Sequence, residues 1–356
     1  ELQPETFPTC KADLKNYGES RSFNYILNGS SRQYIAFGST ISEDGHKGET
    51  YDFCISNPPF GTPWKEDLKK WGLADSEKKK ISDPRFKFVY DDNPDFNVIP
   101  GIGDPQMLFL ANNVSRMKNG TKLGTRIVEV HNGSSLFTGD AGGGESNLRR
   151  FIIENDMLEA IIAMPEKDFY NTGIGTYIWI VTNRKEARRK GKVQLIDATA
   201  IKTPLRKNLG EKNCETNDDD RKMILDLLMA FEDNEYSKIF PNEEFGYWEV
   251  ELFKPAKDKS GNVIKDKKGK VKMAKIKGEV EQIPFTYPGG IEAFHKNEVL
   301  PYEPEEAFGE PTIGYELSFT KYFYKPVQLR SIAEITADIR DIEKSTEGLL
   351  NEILER

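Results

Sequence analysis

The chain has 356 residues, of which 37% are apolar and 30% charged, with a net charge of -8. It is long enough to bury one large core or two smaller ones, and its acidic balance argues against non-specific coating of nucleic acid, leaving that work to local basic patches. Cys10, Cys54 and Cys214 show no paired or metal-type spacing, and neither a signal peptide nor a run of about 18 apolar residues occurs, so the default expectation is a soluble cytoplasmic protein.

In chain order, residues 6–15 can form a helix with Phe7, Cys10 and Leu14 on one face and Pro8 in the first turn. Tyr34-Ile35-Ala36-Phe37-Gly38 reads as a strand ended by glycine, and Tyr51-Asp52-Phe53-Cys54-Ile55 as a short buried strand. Helix, strand, loop and strand make the alternation of an α/β sheet, with no phosphate-loop or dinucleotide fingerprint before them.

The second strand runs into Ser56-Asn57-Pro58-Pro59-Phe60-Gly61, where two prolines end the ladder because neither can donate to it. With those two N–H groups gone, the carbonyls of Asn57 and Pro58 and the Asn57 side-chain oxygen form an acceptor-rich surface, suited to an amino group with two N–H donors. A ring-conjugated amine is a poor nucleophile. Accepting both of its hydrogens favours the more positive, more tetrahedral nitrogen of a transition state, and Phe60 can stack on the base. The amine can attack first and lose its proton afterwards, so no general base is required.

Residues 61–100 are a polar, proline-bearing insertion containing Trp64, Trp71, Phe86, Phe88 and Tyr90. Its basic and aromatic side chains can contact DNA, or the aromatics can pack the loop against itself. A helix is expected from about 104 to 117, with Leu108, Ala111 and Ser115 facing inward, then a strand near 126–130. The stretch 132–146 reads as a long Gly-rich loop near the site; no Gly-Lys-Ser/Thr follows, and its glycines permit close approach of a ligand or a mobile surface loop. Residues 148–155 predict a helix, 157–163 and 176–182 strands, and Val193–Ile196 an edge strand.

A charged linker is expected at 206–220, an amphipathic helix from Asp218 to Phe231, and a lysine-rich hairpin at 254–277 that suits either DNA phosphates or plain solvent. Ile332, Ile335, Ile339, Ile342, Thr346, Leu349 and Ile353 alternate spacings of three and four from Pro326 to the end. Such a helix of ~27 residues would reach roughly 40 Å, long for a small domain; it either docks a partner or packs on its own domain.

Asn57-Pro58-Pro59-Phe60 resembles the fourth motif of S-adenosylmethionine-dependent amino-group methyltransferases, chiefly the adenine-N6 DNA enzymes. Relatives that methylate a glutamine amide in a protein or a guanine amine in RNA share the turn, usually with Tyr for Phe. A longer ordered set resembles the modification subunit of Type I restriction-modification systems: Asn132-Gly133-Ser134, Leu136 through Ala141, Glu145-Ser146, Arg149-Arg150, Phe169 through Ile174, Tyr177-Ile178-Trp179, Gly191 through Ala198, and Ile313 through Tyr324.

The resemblance implies an α/β fold, a class I S-adenosylmethionine-dependent methyltransferase (Rossmann-like) sheet here missing its first strand, plus a C-terminal α+β extension ending in a long helix. The expected divisions are 1–205 (catalytic, partial), 206–325 (extension) and 326–356 (docking helix). The implied activity is methyl transfer from S-adenosylmethionine to N6 of an adenine flipped out of double-stranded DNA. Asn57, Pro58, Pro59 and Phe60 are the implied catalytic residues. Glu1 stands where an acidic residue holds the cofactor's ribose, or is a terminal glutamate without a role; Ser39 stands where relatives carry Asp or Asn beside the cofactor's adenine, or caps a turn. The Gly-rich cofactor turn expected before Glu1 is not in the sequence, so this polypeptide alone is expected to bind the cofactor weakly or not at all and to be inactive by itself. Implied partners are DNA, a DNA-specificity subunit docked on residues 328–356, a second modification subunit and a restriction subunit; a non-catalytic assembly fragment is the alternative.

Overall fold

The computed structural model describes residues 39–93, 96–170, 173–324 and 331–346. The expected helix at 6–15, the strand at 34–38 and Glu1 lie outside these residues. The chain divides into two compact units, Glu1–Phe319 and Thr320–Arg356.

The first unit is built on a mixed sheet. Its strands are β1 (Phe53–Ser56), β2 (Arg126–Asn132), β3 (Leu158–Ala163), β4 (Thr176–Thr182), β5 (Lys192–Asp197) and, after the small β6–β7 hairpin (Thr203–Leu209, Lys212–Glu215), β8 (Ser237–Pro241). The spatial order is β1-β2-β4-β3-β5-β8. β1 runs parallel to β2 and β3 parallel to β5, while β4 lies antiparallel between β2 and β3. Helix α1 (Lys65–Lys70) belongs to the insertion after β1, α2 (Gln106–Ser115) connects towards β2, and α3 (Gly144–Glu154) leads into β3. This is the expected α/β class, a Rossmann-like sheet.

β3, flanked by β4 and β5, is buried along its whole length. On one face α4 (Asp218–Ala230) lays Ile224, Leu227 and Leu228 over Ala160, Ile162, Ile180 and Ile196. An Asn217–Asp220 capping box starts that helix.

Several expectations change. The run 51–55 is not buried: Cys54 points inward, but Phe53 is 62% and Ile55 85% exposed, and β1 is the outermost strand of the sheet among the described residues. β5 is no edge strand, because β8 pairs along its free side and returns the chain antiparallel to it. The charged linker contains the β6–β7 hairpin, and Ser115 is exposed at the end of α2, whereas Leu108 and Ala111 are fully buried. The helical stripe has turned away from the sheet by that last turn.

Beyond the sheet, β9 (Gly246–Pro255) pairs antiparallel with β10 (Met273–Pro284) on one side and with β11 (Ala307–Phe308) and β12 (Thr312–Tyr315) on the other, giving the α+β extension. Gly246 and Gly314 each sit where a Cβ would meet a ring, of Phe285 and Tyr247 respectively. In the second unit, α5 (Ile332–Thr346) opens with a capping box: the Ser331 Oγ accepts the Glu334 N–H at 3.2 Å and the Glu334 carboxylate accepts the Ser331 N–H at 2.8 Å. Leu349 and Ile353 of the heptad pattern lie outside the described residues. Among the described residues, no helix is long and apolar enough to cross a membrane.

Candidate active site

The C-terminal end of β1 is pinned from behind by a buried polar network. Ser56 lies opposite Glu129 of β2, and its hydroxyl donates to Glu129 Oε2 at 2.8 Å while accepting from Asn113 of α2 at 3.0 Å. Asn113 also donates to Glu129 Oε2 at 2.5 Å. The other Glu129 oxygen lies 2.9 Å from His131 Nε2, and the His131 ring packs 5.3 Å from that of Trp179. Glu129 and His131 are completely buried. A carboxylate at zero exposure is tolerable only because each oxygen is bonded, and those bonds fix where β1 ends.

The turn beyond is the opposite. Asn57 and Pro59 are exposed, Phe60 is half-buried, and Pro58 is buried as the anchor. Among the described residues, nothing donates to the carbonyl of Asn57 or Pro58 and the Asn57 side chain makes no hydrogen bond. Gly61 then reverses the chain at φ +69°, a conformation that glycine adopts without strain. Cys54, three residues before Asn57, faces the core, and burial, with the Glu129 charge adding to it, pushes its thiol up to about 11. It is no nucleophile at neutral pH. The turn therefore offers acceptors and a ring face, not a covalent catalyst.

A second network, not foreseen from the sequence, closes the same end of the sheet beside the turn. The side-chain nitrogen of Gln106, at the start of α2, lies 2.8 Å from each of three acceptors, Asp104 Oδ2, Asn132 Oδ1 and Ser134 Oγ, among which its two hydrogens are shared, and its own side-chain carbonyl accepts the Asn132 N–H at 3.1 Å. The sequence signal was a glutamine heading the apolar run Met107–Ala111, opposite polar residues ending a strand.

The insertion at 61–100 packs its aromatics inward instead of displaying them. Trp64 is buried, with its indole N–H on the Gly101 carbonyl at 2.9 Å; Trp71 meets Phe86 edge-on, and Phe88 and Tyr90 both pack against Phe151 of α3. The Gly-rich stretch serves the chain itself: residues 134–137 form a helical turn and α3 already begins at Gly144. A Cβ on Gly144 would collide with the Ile99 carbonyl oxygen, and Glu145 reaches across to accept the Gly101 N–H at 2.7 Å. Arg149, fully buried, donates to the carbonyls of Tyr315, Ser135 and Thr138 at 2.6, 2.9 and 2.9 Å, tying the extension to the loop.

Of the two expected cofactor contacts, only Ser39 falls among the described residues. Glu1 is outside the described residues. Ser39 is buried; its hydroxyl donates to Asp67 at 2.5 Å and accepts the Ile41 N–H at 3.2 Å, which is the geometry of a turn cap. Among the described residues, the turn presents free acceptors beside a ring face.

A family model for N-6 DNA Methylase matches residues 21–250, which include the motif turn, both polar networks and the sheet. The chain belongs to the N-6 DNA Methylase family. It is 26% identical over 212 residues to the Type I restriction enzyme MjaIX methylase subunit of Methanocaldococcus jannaschii, covering 60% of this chain and 34% of that protein. With the MjaVII methylase subunit of the same organism it shares 29% over 245 residues, covering 64% of this chain and 38% of that protein. The chain thus spans little more than a third of these curated relatives. A solved methyltransferase subunit of a type I restriction-modification system from Streptococcus thermophilus aligns with a TM-score of 0.48 at 21% identity, over 68% of this chain and 44% of that one.

Proposed function

We propose that this N-6 DNA Methylase chain is the methyl-accepting part of a Type I modification subunit, acting on N6 of an adenine in double-stranded DNA. The observation that carries the reading is the Asn57–Phe60 turn, whose acceptors have no partner among the described residues while the polar groups directly behind them at Ser56, Asn113 and Glu129 are bonded. An adenine inside a duplex cannot reach such a turn, so it is flipped out at a cost of a few kcal/mol and stacks on Phe60. Its amine donates to the Asn57 and Pro58 oxygens, which stabilise the positive charge that grows on nitrogen as it attacks. The two prolines restrict the backbone that carries the Asn57 and Pro58 carbonyls, so those two oxygens need little reorganisation. S-adenosylmethionine, the donor expected of the family, supplies the electrophilic methyl when bound. Buried, unpaired Cys54 and Cys214 accord with a reducing, cytoplasmic setting.

In the full-length subunit assembled with its partners, Asn57→Ala is expected to cut transfer of labelled methyl groups to duplex DNA by at least ~100-fold while leaving assembly intact. Retained methylation would refute the site.

The docking role of the C-terminal helix belongs to the same reading. Ile332, Ile335, Ile339 and Ile342 are all exposed along one stripe of α5, which suits pairing with a helix of a DNA-specificity subunit. Removing residues 328–356 is expected to abolish co-purification with that subunit; unchanged assembly would show that the stripe serves something else.

A further inference from the structure

The lysine-rich hairpin expected at 254–277 takes no part in the motif turn. Between Lys254 and Lys277 the sequence holds ten lysines and two aspartates, in a chain whose net charge is -8. This segment is the arm where β9 and β10 run past the sheet, and every residue from 257 to 272 is exposed.

The arm is built rather than loose. Its two tips repeat one unit, Asp-Lys-Xaa-Gly-Xaa-Val, at 258–263 and 266–271. In each, the aspartate Oδ1 accepts backbone N–H groups two and four residues on: Ser260 and Asn262 at 2.8 and 3.0 Å, Lys268 and Lys270 at 2.8 and 2.9 Å. Each glycine, at φ +84° and +79°, closes the turn onto its aspartate's carbonyl. The limbs are then laced together, Ala256 N–H to Lys272, Ile264 N–H to Ala256 and Lys272 N–H to Ile264, at 2.8, 2.8 and 2.9 Å.

This architecture assigns the charges to two jobs. Both aspartates hold turns, and the N–H groups of Asn262 and Ser260 keep the Asp258 carboxyl below the usual range. At the base, Lys254 pairs with Glu303 and Glu306, and Lys275 with Glu251. Further out, Lys259, Lys265, Lys267, Lys268, Lys270 and Lys272 have no acidic partner among the described residues. Exposed like charges on one small arm repel one another and contribute nothing to a core, so their concentration there calls for an external polyanion. A duplex presents one phosphate about every 1.7 Å of its axis. Nine steps of extended chain, up to roughly 30 Å, separate Pro255 from the Gly246 end of β9, and lysine heads without pockets or fixed forks grip backbone without reading bases.

We propose that the arm at 256–272 binds the phosphate backbone of duplex DNA, adding affinity that is independent of base sequence. The inference rests on the proposed action on DNA. Its test uses the full-length subunit assembled with its partners and a labelled duplex, with binding followed by fluorescence anisotropy over a series of salt concentrations. Exchanging the six outer lysines for glutamine is expected to weaken binding at least tenfold for target and unrelated duplexes alike. It should also flatten the plot of log affinity against log salt by about 0.9 for each phosphate that the arm no longer neutralises. Exchange of the same six for arginine keeps both. An unchanged salt slope in the glutamine variant overturns the inference, whether or not a protein subunit dissociates with it. The two readings fail separately: an Asn57→Ala assembly that still methylates ends the functional reading, while the salt slope alone decides the arm.

Discussion

Two loops are marked in the sequence by unusual residues, the turn at 57–61 by prolines and the stretch at 139–146 by glycines, and they turn out to do opposite things. The turn keeps its polar atoms free: the Asn57 side chain and the carbonyls before and after the first proline peptide have no partner among the described residues. The glycine stretch spends its polar atoms on the protein, with Gly144 against the Ile99 carbonyl, Glu145 on the Gly101 N–H and Arg149 on three carbonyls. A special residue thus signals a constraint, and the structure shows whether the described chain itself makes use of it.

The comparison can be broken at either loop. The largest effect is expected from Asn57→Ala, which removes transition-state stabilisation, on the order of 3 kcal/mol for a positioned acceptor, without unfolding the protein. Gly144→Ala should do the reverse. Its Cβ would meet the Ile99 carbonyl, so α3 or the 99–101 segment must shift at a cost of about 1–3 kcal/mol, visible as a lower midpoint in a denaturant titration. Methylation per folded molecule should persist. If Gly144→Ala instead abolished activity in a fully folded protein, the glycines would belong to a ligand site after all. A loss of stability of similar size is expected at the support behind the turn: Glu129→Ala leaves the half-buried Ser56 and Asn113 without their buried acceptor, costing about 1–3 kcal/mol, and Glu129→Gln, which keeps an acceptor oxygen, should recover most of it. A Glu129→Ala protein as stable as the parent would mean that the network does not hold the end of β1.

Much of the frame was legible because it depends on local pattern. The strand at 176–182 is found at its expected bounds, and α3, β3 and α4 lie within a few residues of theirs, since alternation, capping residues and apolar stripes act within one element. The turn at Asn57 was legible because proline removes a donor wherever it sits. The misreadings share a cause. β5 looked like an edge because its partner β8 arrives some forty residues later, past the β6–β7 hairpin. The run 51–55 looked buried because hydrophobicity does not say which face is covered, and Phe53 and Ile55 face away from α2.

The sequence by itself determined the chemistry available at the turn, the order of the strands β1 to β5, the concentration of lysines at 254–277 and the heptad stripe on α5. Each of these follows from residue type and short-range spacing. Only the tertiary structure decided that Glu129 and His131 stand buried behind Ser56, that Gln106 gathers Asp104, Asn132 and Ser134, and that the glycines of 139–146 admit a backbone carbonyl. Those outcomes depend on which distant groups arrive within hydrogen-bonding or van der Waals distance, and that is set by packing the whole sheet.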